Sequence, residues 1–179
     1  LPFWLEHSQD HEYGGYFTCL DREGKVFDTD KFIWLQSREV WMFSMLYNKV
    51  EKRQEWLDCA IQGGEFLKKY GHDGNYNWYF SLDRSGRPLV EPYNIFSYTF
   101  ATMAFGQLSL ATGNQEYADI ARKTFDIILS KVDNPKGKWN KLHPGTRNLK
   151  NFALPMILCN LALEIEHLLD ESYLKETME

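Results

Sequence analysis

A repeat of about 61 residues is the feature of this sequence that most constrains its fold. Residues 16–24 resemble residues 79–86, and the aspartate and glycine of the first stretch recur 62 positions later in the second. Residues 55–60 resemble residues 116–121 at an offset of 61. Repeats of this length predict a stacked array of supersecondary units.

Each unit reads as a loop followed by two helices. The loops carry glycine, aspartate and aromatic residues, and they predict short β-hairpins that turn at 21–24 and 83–86. The first helix is apolar nearly all round, which predicts burial, whereas the second is amphipathic and predicts half-exposure. The first helices are expected at 33–47, 95–111 and 152–169. We therefore expect two concentric layers with the long loops gathered at one end, where a site should lie.

Alternating inner and outer helices predict an all-α fold, an α/α toroid. At about 61 residues per helix pair, the 179 residues give just under three pairs, which do not close a ring. The chain also opens on what reads as the tail of a helix at 1–6 and stops partway into another at 171–179. We expect residues 1–179 to form the N-terminal half of one domain. The alternative is an open three-unit solenoid, which the uncapped apolar inner helices disfavour.

Composition excludes several classes of function. The 25 acidic and 20 basic side chains give a net charge of −5, which leaves no basic footprint for nucleic acid or an anionic membrane. No run approaches the roughly 18 apolar residues of a membrane span, and no signal peptide is recognised. The three separated cysteines favour a reducing, cytosolic compartment. The aromatic share of 16% suits a large apolar interior or a ring-lined carbohydrate cleft.

Arg38 is the first candidate for chemistry. It lies on the predicted first inner helix, between Trp34 and Trp41. An unpaired buried charge is costly, so an arginine among buried rings needs a partner. Arg38 either faces the toroid cavity and binds an anionic or polar ligand, or it forms a structural ion pair with Glu39 or Asp30. Spacing alone leaves both alternatives open.

Further candidates fall near the starts of the inner helices. Rings that would stack on a sugar or pack in the core are Trp34, Tyr93, Phe96 and Tyr98. Ser97 and Asn94 are candidate polar contacts, or else caps of the helix that begins there.

The loop before the third inner helix is basic in an otherwise acidic chain. It lacks the G-x-x-x-x-G-K-[ST] phosphate cradle, but its lysines would hold phosphates as point charges, and a solvated loop is the alternative. Its basic residues are Lys131, Lys136, Lys138, Lys141, Arg147 and Lys150. The five histidines form no metal-binding spacing, so no metal is predicted. We expect His72 and His143 to be solvated and His167 to be structural.

Four stretches of the chain resemble the N-acylglucosamine 2-epimerase family, which includes renin-binding protein. They are residues 3–8, 14–20, 34–41 and 155–158. The run at 34–41 is the most specific, and the resemblance extends over essentially the whole chain. It implies an (α/α)6 barrel of roughly twice this length, in agreement with the half-ring that the repeat predicts.

The resemblance also implies an activity. Members of the family interconvert N-acetylglucosamine and N-acetylmannosamine by removing the C2 proton of the open-chain sugar and returning it to the opposite face. Arg38 matches, through the Gln-x-Arg-x-x-Trp motif, the arginine that steadies the enediolate oxygen. Two histidines act as acid and base, and none of the five in this chain matches them, so residues 1–179 alone are expected to be inactive.

The remaining site residues follow from the same resemblance. Substrate contacts are expected from Trp34, Tyr93, Ser97 and Met156, of which Met156 stands about where disaccharide-acting relatives place a histidine. ATP is implied as an activator that is not consumed, and we assign it to Lys136, Lys138, Lys141 and Lys150. A homodimer and a cytoplasmic location are expected. Two alternatives stay open: another sugar epimerase or isomerase on this fold, such as a cellobiose 2-epimerase or mannose isomerase, or a non-catalytic binding protein of the renin-binding kind.

Overall fold

The computed structural model describes residues 1–92, 94–133, 143, 152–171 and 174. The helices are α1 (Pro2–His7), α2 (Ile33–Lys49), α3 (Gln54–Tyr70), α4 (Phe96–Thr112), α5 (Gln115–Ser130) and α6 (Ala153–Glu164). The strands are β1 (Cys19–Leu20), β2 (Val26–Asp28), β3 (Lys31–Phe32), β4 (Ser81–Leu82) and β5 (Pro88–Val90). Among the helices described, none combines the length and hydropathy that a membrane crossing requires.

The long helices form an inner and an outer layer. α2 packs against α4, and each of these inner helices also packs against the outer helix that follows it in the chain, α3 or α5. α6 extends the inner row beside α4. α4 is buried over most of its length, whereas α3 and α5 bury one stripe each, as their amphipathic sequences require. The predicted alternation of inner and outer helices is confirmed.

The two hairpins before α2 and α4 are built alike. β1 pairs with β2 and β4 with β5, both antiparallel. Asp21 and Asp83 each accept a hydrogen bond from the backbone N–H four residues later, at 2.8 and 2.9 Å. Gly24 and Gly86 have φ of +86° and +94°, a region that glycine adopts without strain. The turns at 21–24 and 83–86 therefore have the same structure, as the repeat predicts.

The third inner helix is shorter than the sequence predicts. The apolar pattern runs to residue 169, but α6 ends at Glu164 and a 3-10 helix follows at Glu166–Leu168. The chain leaves the α-conformation at the fully buried Ile165. Beyond it, a ring nitrogen of His167 lies 3.2 Å from Ser109 Oγ on α4, so the turn brings this segment onto the second unit. Apolar periodicity continues through such a bend, which is why the pattern missed it.

A third strand joins the second hairpin. β3 pairs with β4, so the loop before α2 is tied to the hairpin before α4. Lys31 on β3 is fully buried, and its Nζ donates to Asp10 Oδ2 and to the carbonyl oxygen of Arg84, both at 2.9 Å. The Arg84 guanidinium also donates to both oxygens of Asp10. Burial is tolerable for these charges because each has a partner.

Candidate active site

A cavity of about 520 Å³ opens where the first turns of the three inner helices meet. The residues that line it are Trp34, Arg38, Phe80, Asn94, Phe96, Ser97, Phe100, Met156 and Ile157. Those on α2, α4 and α6 all lie within the first two turns of their helices. The hairpin loops precede these turns in the chain, so the cavity lies at the end of the helix array where the repeat places a site.

Arg38 gives this wall its positive charge. The guanidinium carbon lies 4.3 Å from the centre of the Phe100 ring and 5.2 Å from that of Trp34. The side chain is exposed, and among the residues that the structure describes no carboxylate comes within 4.0 Å of it. The structural ion pair with Glu39 or Asp30 is therefore absent within the described part of the chain. Arg38 is not buried among rings, as the sequence suggested; it lies over them, facing the cavity.

α4 supplies the polar groups of the cavity. Ser97 lines it although only 2% of the residue is exposed. Asn94 Oδ1 accepts a hydrogen bond from the backbone N of Phe96, the first residue of α4, at 2.9 Å, but the N-cap position is Ile95, which has no side-chain cap. Asn94 therefore forms part of the wall and bonds to the first backbone N–H of α4 from the residue before the N-cap, and its role toward a ligand stays a prediction.

The candidate rings separate into two groups. Trp34 and Phe96 line the cavity. Tyr98 does not belong to the described lining: it is 2% exposed, and its hydroxyl accepts a hydrogen bond from Lys131 Nζ at 2.9 Å. Tyr98 thus follows the core-packing alternative.

α6 closes one side of the cavity with Met156 and Ile157. Met156 is 53% exposed, and neither side chain carries a charge or a hydrogen-bond donor. The structure thus brings together four of the predicted contacts, Trp34, Arg38, Ser97 and Met156. Their roles toward a ligand stay predictions.

Several predicted contacts lie outside the described residues. They are Tyr93, expected at the sugar, and Lys136, Lys138, Lys141 and Lys150, expected at ATP.

Gln36 in the most specific motif holds a loop, a role the sequence analysis missed. Its Oε1 accepts from Tyr16 N at 2.8 Å and its Nε2 donates to Tyr16 O at 2.7 Å. Gly15 precedes Tyr16 with φ of +68°, and a Cβ there would lie 2.7 Å from Gln36 Oε1. The stretches 14–20 and 34–41 therefore contact each other directly, through the backbone of Tyr16 and the side chain of Gln36.

Trp41, the last residue of that motif, joins the inner helices. Its Nε1 donates to Glu164 Oε2 on α6 at 2.9 Å, and Gln107 Nε2 on α4 donates to the same oxygen at 2.9 Å. Asn48 Nδ2 on α2 donates to the carbonyl oxygen of Gln107. These hydrogen bonds hold the C-terminal halves of α2, α4 and α6 together. The N-terminal turns of the same three helices line the cavity, so the bonds help to fix its shape.

Glu39 is a carboxyl group buried next to Arg38 in sequence. It is 7% exposed and accepts a hydrogen bond from Ser8 Oγ. Burial raises the pKa of Glu39 from 4.5 to about 7, although the Ser8 hydrogen bond partly offsets that rise. Burial together with the nearby Glu39 charge raises the pKa of the Cys59 thiol to about 12, so this cysteine is not a reactive nucleophile.

None of the five histidines is among the described lining residues. His72, which was expected to be solvated, is half-buried: its ring stacks on that of Tyr76 with 4.8 Å between the ring centres, and its Nδ1 accepts a hydrogen bond from Gly74 N. Burial lowers the pKa of His72. His143 is exposed, and His167 makes its contact with Ser109 on α4.

This arrangement suits a ligand that is polar and neutral but gains negative charge during reaction. Rings such as Trp34 and Phe96 offer flat apolar surfaces for a sugar face. A guanidinium group carries a fixed positive charge and several N–H donors, so an arginine stabilises an oxyanion as a cation and not as an acid or base. No aspartate, glutamate or histidine is among the described residues of the wall. The proton transfers of such a reaction would need groups from elsewhere.

The chain is similar to known sugar epimerases over most of its length. The family model described as N-acylglucosamine 2-epimerase (GlcNAc 2-epimerase) matches residues 15–179. The N-acylglucosamine 2-epimerase of Bos taurus is 42% identical in an alignment 170 residues long that covers 92% of this chain and 40% of that protein. The cellobiose 2-epimerase of Dictyoglomus turgidum is 29% identical over 149 residues, 78% of this chain and 38% of that protein.

A solved structure shows the fold. The cellobiose 2-epimerase from Bacillus thermoamylovorans B4167 superposes with a TM-score of 0.82 at 23% identity, over 98% of this chain and 49% of that one. Such neighbours have an (α/α)6 barrel, so the predicted fold class is confirmed and the chain corresponds to about half of that barrel. The chain spans about 40% of the length of the N-acylglucosamine 2-epimerases it matches.

Proposed function

Because the chain belongs to the N-acylglucosamine 2-epimerase family, we propose that the protein interconverts N-acetyl-D-glucosamine and N-acetyl-D-mannosamine. The reaction inverts C2 of the open-chain sugar by removing a proton and returning one to the opposite face. Identity to the N-acylglucosamine 2-epimerases exceeds identity to the cellobiose 2-epimerases, which favours the amino sugar as substrate.

The observation that carries this proposal is the placement of Arg38. When the C2–H bond breaks, its electron pair moves into the C1–C2 bond and negative charge develops on the C1 oxygen. A guanidinium at the cavity, over rings and without a carboxylate partner among the described residues, is free to bind that oxygen. Because water competes less beside apolar rings, the stabilisation is larger there than in open solvent.

The other lining residues would hold the sugar. Trp34 and Phe96 offer ring faces, Ser97 and Asn94 offer hydrogen-bonding groups, and Met156 offers an apolar contact. We assign the sugar itself to these residues and the acid–base pair to groups outside the described wall, which contains no side chain that titrates near neutral pH.

Hydrogen exchange at C2 tests the proposal. The polypeptide encoded by the complete reading frame is incubated with N-acetyl-D-mannosamine in D2O, and proton NMR follows the C2 signal. We expect deuterium to enter at C2 as the two sugars interconvert. If neither sugar gains deuterium, the proton-transfer mechanism is wrong.

Substitution of Arg38 tests the role of the guanidinium. Arg38→Met is expected to lower kcat by about 10² to 10³, the usual cost of removing one oxyanion contact, with thermal stability retained because the side chain is exposed. Arg53→Met is a matched control, since Arg53 lies 5.0 Å from the Trp56 ring on the outer helix α3. A loss of folding in Arg38→Met at unchanged kcat per folded molecule would show that Arg38 is structural.

The two alternatives give different outcomes in the same assay. Exchange at C2 of cellobiose or isomerisation of mannose, in preference to the N-acetyl sugars, would assign another epimerase or isomerase activity. Affinity for the sugar without any exchange in the complete polypeptide would identify a binding protein.

ATP activation, a homodimer and a cytoplasmic location stay predictions from the resemblance. The lysines assigned to ATP lie outside the described residues. Turnover measured with and without ATP, in the wild type and in Lys136→Ala with Lys138→Ala, tests the first of these. We expect ATP to raise kcat in the wild type only.

A further inference from the structure

Two rings restrain the guanidinium of Arg38. No hydrogen bond or ion pair of this side chain is found among the described residues, so its cation–π contacts are what orient it there. Trp34 lies one turn before Arg38 on the same helix, at 5.2 Å. Phe100 lies closer, at 4.3 Å, and belongs to α4. Phe100 is therefore the contact that links the charged side chain on α2 to the neighbouring inner helix α4.

Phe100 is itself well held. It is half-buried and packs against the hydrophobic core, and its ring centre lies 6.4 Å from that of Trp34. The helix that carries it is buried on nearly every side, and it packs directly against α2. The ring is a fixed surface, whereas the arginine above it is long and has many rotamers.

We propose that Phe100 is a positioning residue that holds the Arg38 guanidinium where the oxyanion forms. A cation over an aromatic face is attracted by the negative potential of the ring, and the attraction strengthens where water is excluded. An arginine held in advance loses less freedom when it binds the developing charge, so the contact acts on turnover rather than on sugar binding. The inference rests on the epimerase activity proposed above.

Two substitutions at Phe100 distinguish the effect of the aromatic ring from that of an apolar side chain of similar size. Phe100→Leu keeps an apolar side chain but removes the ring, and we expect kcat to fall about ten-fold with KM nearly unchanged. Phe100→Tyr keeps the ring and is expected to retain kcat within about two-fold. Equal losses in the two variants, or a change in KM alone, would contradict the proposal.

A double-mutant cycle shows whether Phe100 acts through Arg38. In an Arg38→Met background, Phe100→Leu is expected to lower kcat no further, because the group that it positions is gone. Phe105→Leu is the matched control: this ring lies on the same helix, is fully buried and packs against Trp78 and Tyr117. It should lower thermal stability without lowering kcat per folded molecule. A full additional loss from Phe100→Leu in the Arg38→Met background would overturn the proposal.

An NMR measurement tests the contact between Phe100 and Arg38 independently of turnover. In the complete polypeptide labelled with 15N-arginine, the Arg38 Nε–H signal is assigned by its loss in Arg38→Met. Ring currents should shift it further upfield in the wild type and in Phe100→Tyr than in Phe100→Leu, in which only the Trp34 ring remains beside Arg38. If the wild type exchanges no deuterium at C2, the proposed function fails, yet this shift still reports whether Phe100 holds Arg38. An identical shift in wild type and Phe100→Leu would sink the positioning role.

Discussion

Two adjacent charged residues of α2 have opposite environments. Successive residues of a helix point about 100° apart, so a helix between a cavity and an outer layer sends neighbouring side chains to different places. Arg38 is exposed at the cavity, whereas Glu39 is 7% exposed and accepts a hydrogen bond from Ser8. The charged residue that lines the cavity is thus the exposed one, whereas the buried carboxyl group of Glu39 lowers the stability of the fold in a way that depends on pH.

The pKa of Glu39 predicts how stability changes with pH. Its folded pKa of about 7 is raised above the ordinary 4.5, so between these values the folded state binds a proton that the unfolded state has lost. Stability therefore falls as pH rises through this window, by on the order of 3 kcal/mol in all. Glu39→Gln should remove this slope, leaving a variant similar to the wild type near pH 4 and more stable near pH 8.

Urea unfolding at a series of pH values measures this difference. Glu23→Gln, at an exposed position in the first hairpin turn, is the control and should follow the wild-type profile. The same slope in Glu39→Gln as in the wild type would mean that another group titrates in this window.

Three side chains of the motif at 36–41, all on α2, make different kinds of contact. Gln36 binds the backbone of Tyr16, Arg38 faces the cavity, and Trp41 joins α2 to α6 through Glu164. The three side chains leave one helix in three directions, toward a loop, a ligand space and a neighbouring helix. Two of the three side chains therefore hold the fold together, and Arg38 is the one that is open to a ligand.

Local interactions are what the sequence predicted best. The hairpin turns follow from the Asp-x-x-Gly spacing, because the aspartate bonds to backbone within four residues. The pairing of β3 with β4 was not predicted, since it depends on two segments about 50 residues apart. Phe100 falls within the apolar stretch 95–111, but periodicity identifies a helix face and not which ring lies under a charge.

Two glycines in loops before the inner helices provide a matched test of the Gln36 contact. Gly15 and Gly74 both have positive φ, +68° and +86°, so an alanine at either position strains the backbone by about 1 kcal/mol. A Cβ at Gly15 would also lie 2.7 Å from Gln36 Oε1 and 2.9 Å from the Phe66 ring, whereas one at Gly74 meets nothing within 4 Å.

We therefore expect Gly74→Ala to cost about 1 kcal/mol and Gly15→Ala about 3 kcal/mol in free energy of unfolding. Urea denaturation of the two variants gives the comparison. Equal losses would indicate that the loop yields around the new methyl group, and that Gln36 does not fix it.

The three inner helices are unequally covered. Most of α4 is buried, but only Leu161 and Ala162 are buried on α6. Phe152, Met156 and Leu163, at and along α6, are 75%, 53% and 61% exposed. Exposed apolar stripes of this kind mark contact surfaces, and the chain corresponds to about half of the barrel of its structural neighbour. The described residues of the cavity wall likewise include the guanidinium of Arg38 but no aspartate, glutamate or histidine.

Because α6 is exposed in this chain, we expect Leu163→Lys to have opposite effects in the isolated chain and in the complete polypeptide. As an isolated chain, residues 1–179 should show no exchange at C2, bind hydrophobic dyes and self-associate, and Leu163→Lys should reduce dye binding because it places a charge in the stripe. In the polypeptide encoded by the complete reading frame, where we expect the stripe to be covered, Leu163→Lys should lower stability by about 2 kcal/mol or more, since a buried lysine there would lack a partner. Phe27→Lys, at a residue of β2 that is 71% exposed, is the control and should leave thermal stability unchanged in both contexts. Turnover by the isolated chain would mean that the site needs nothing beyond these residues. An unaltered melting temperature for Leu163→Lys in the complete polypeptide would mean that the α6 face is not covered there.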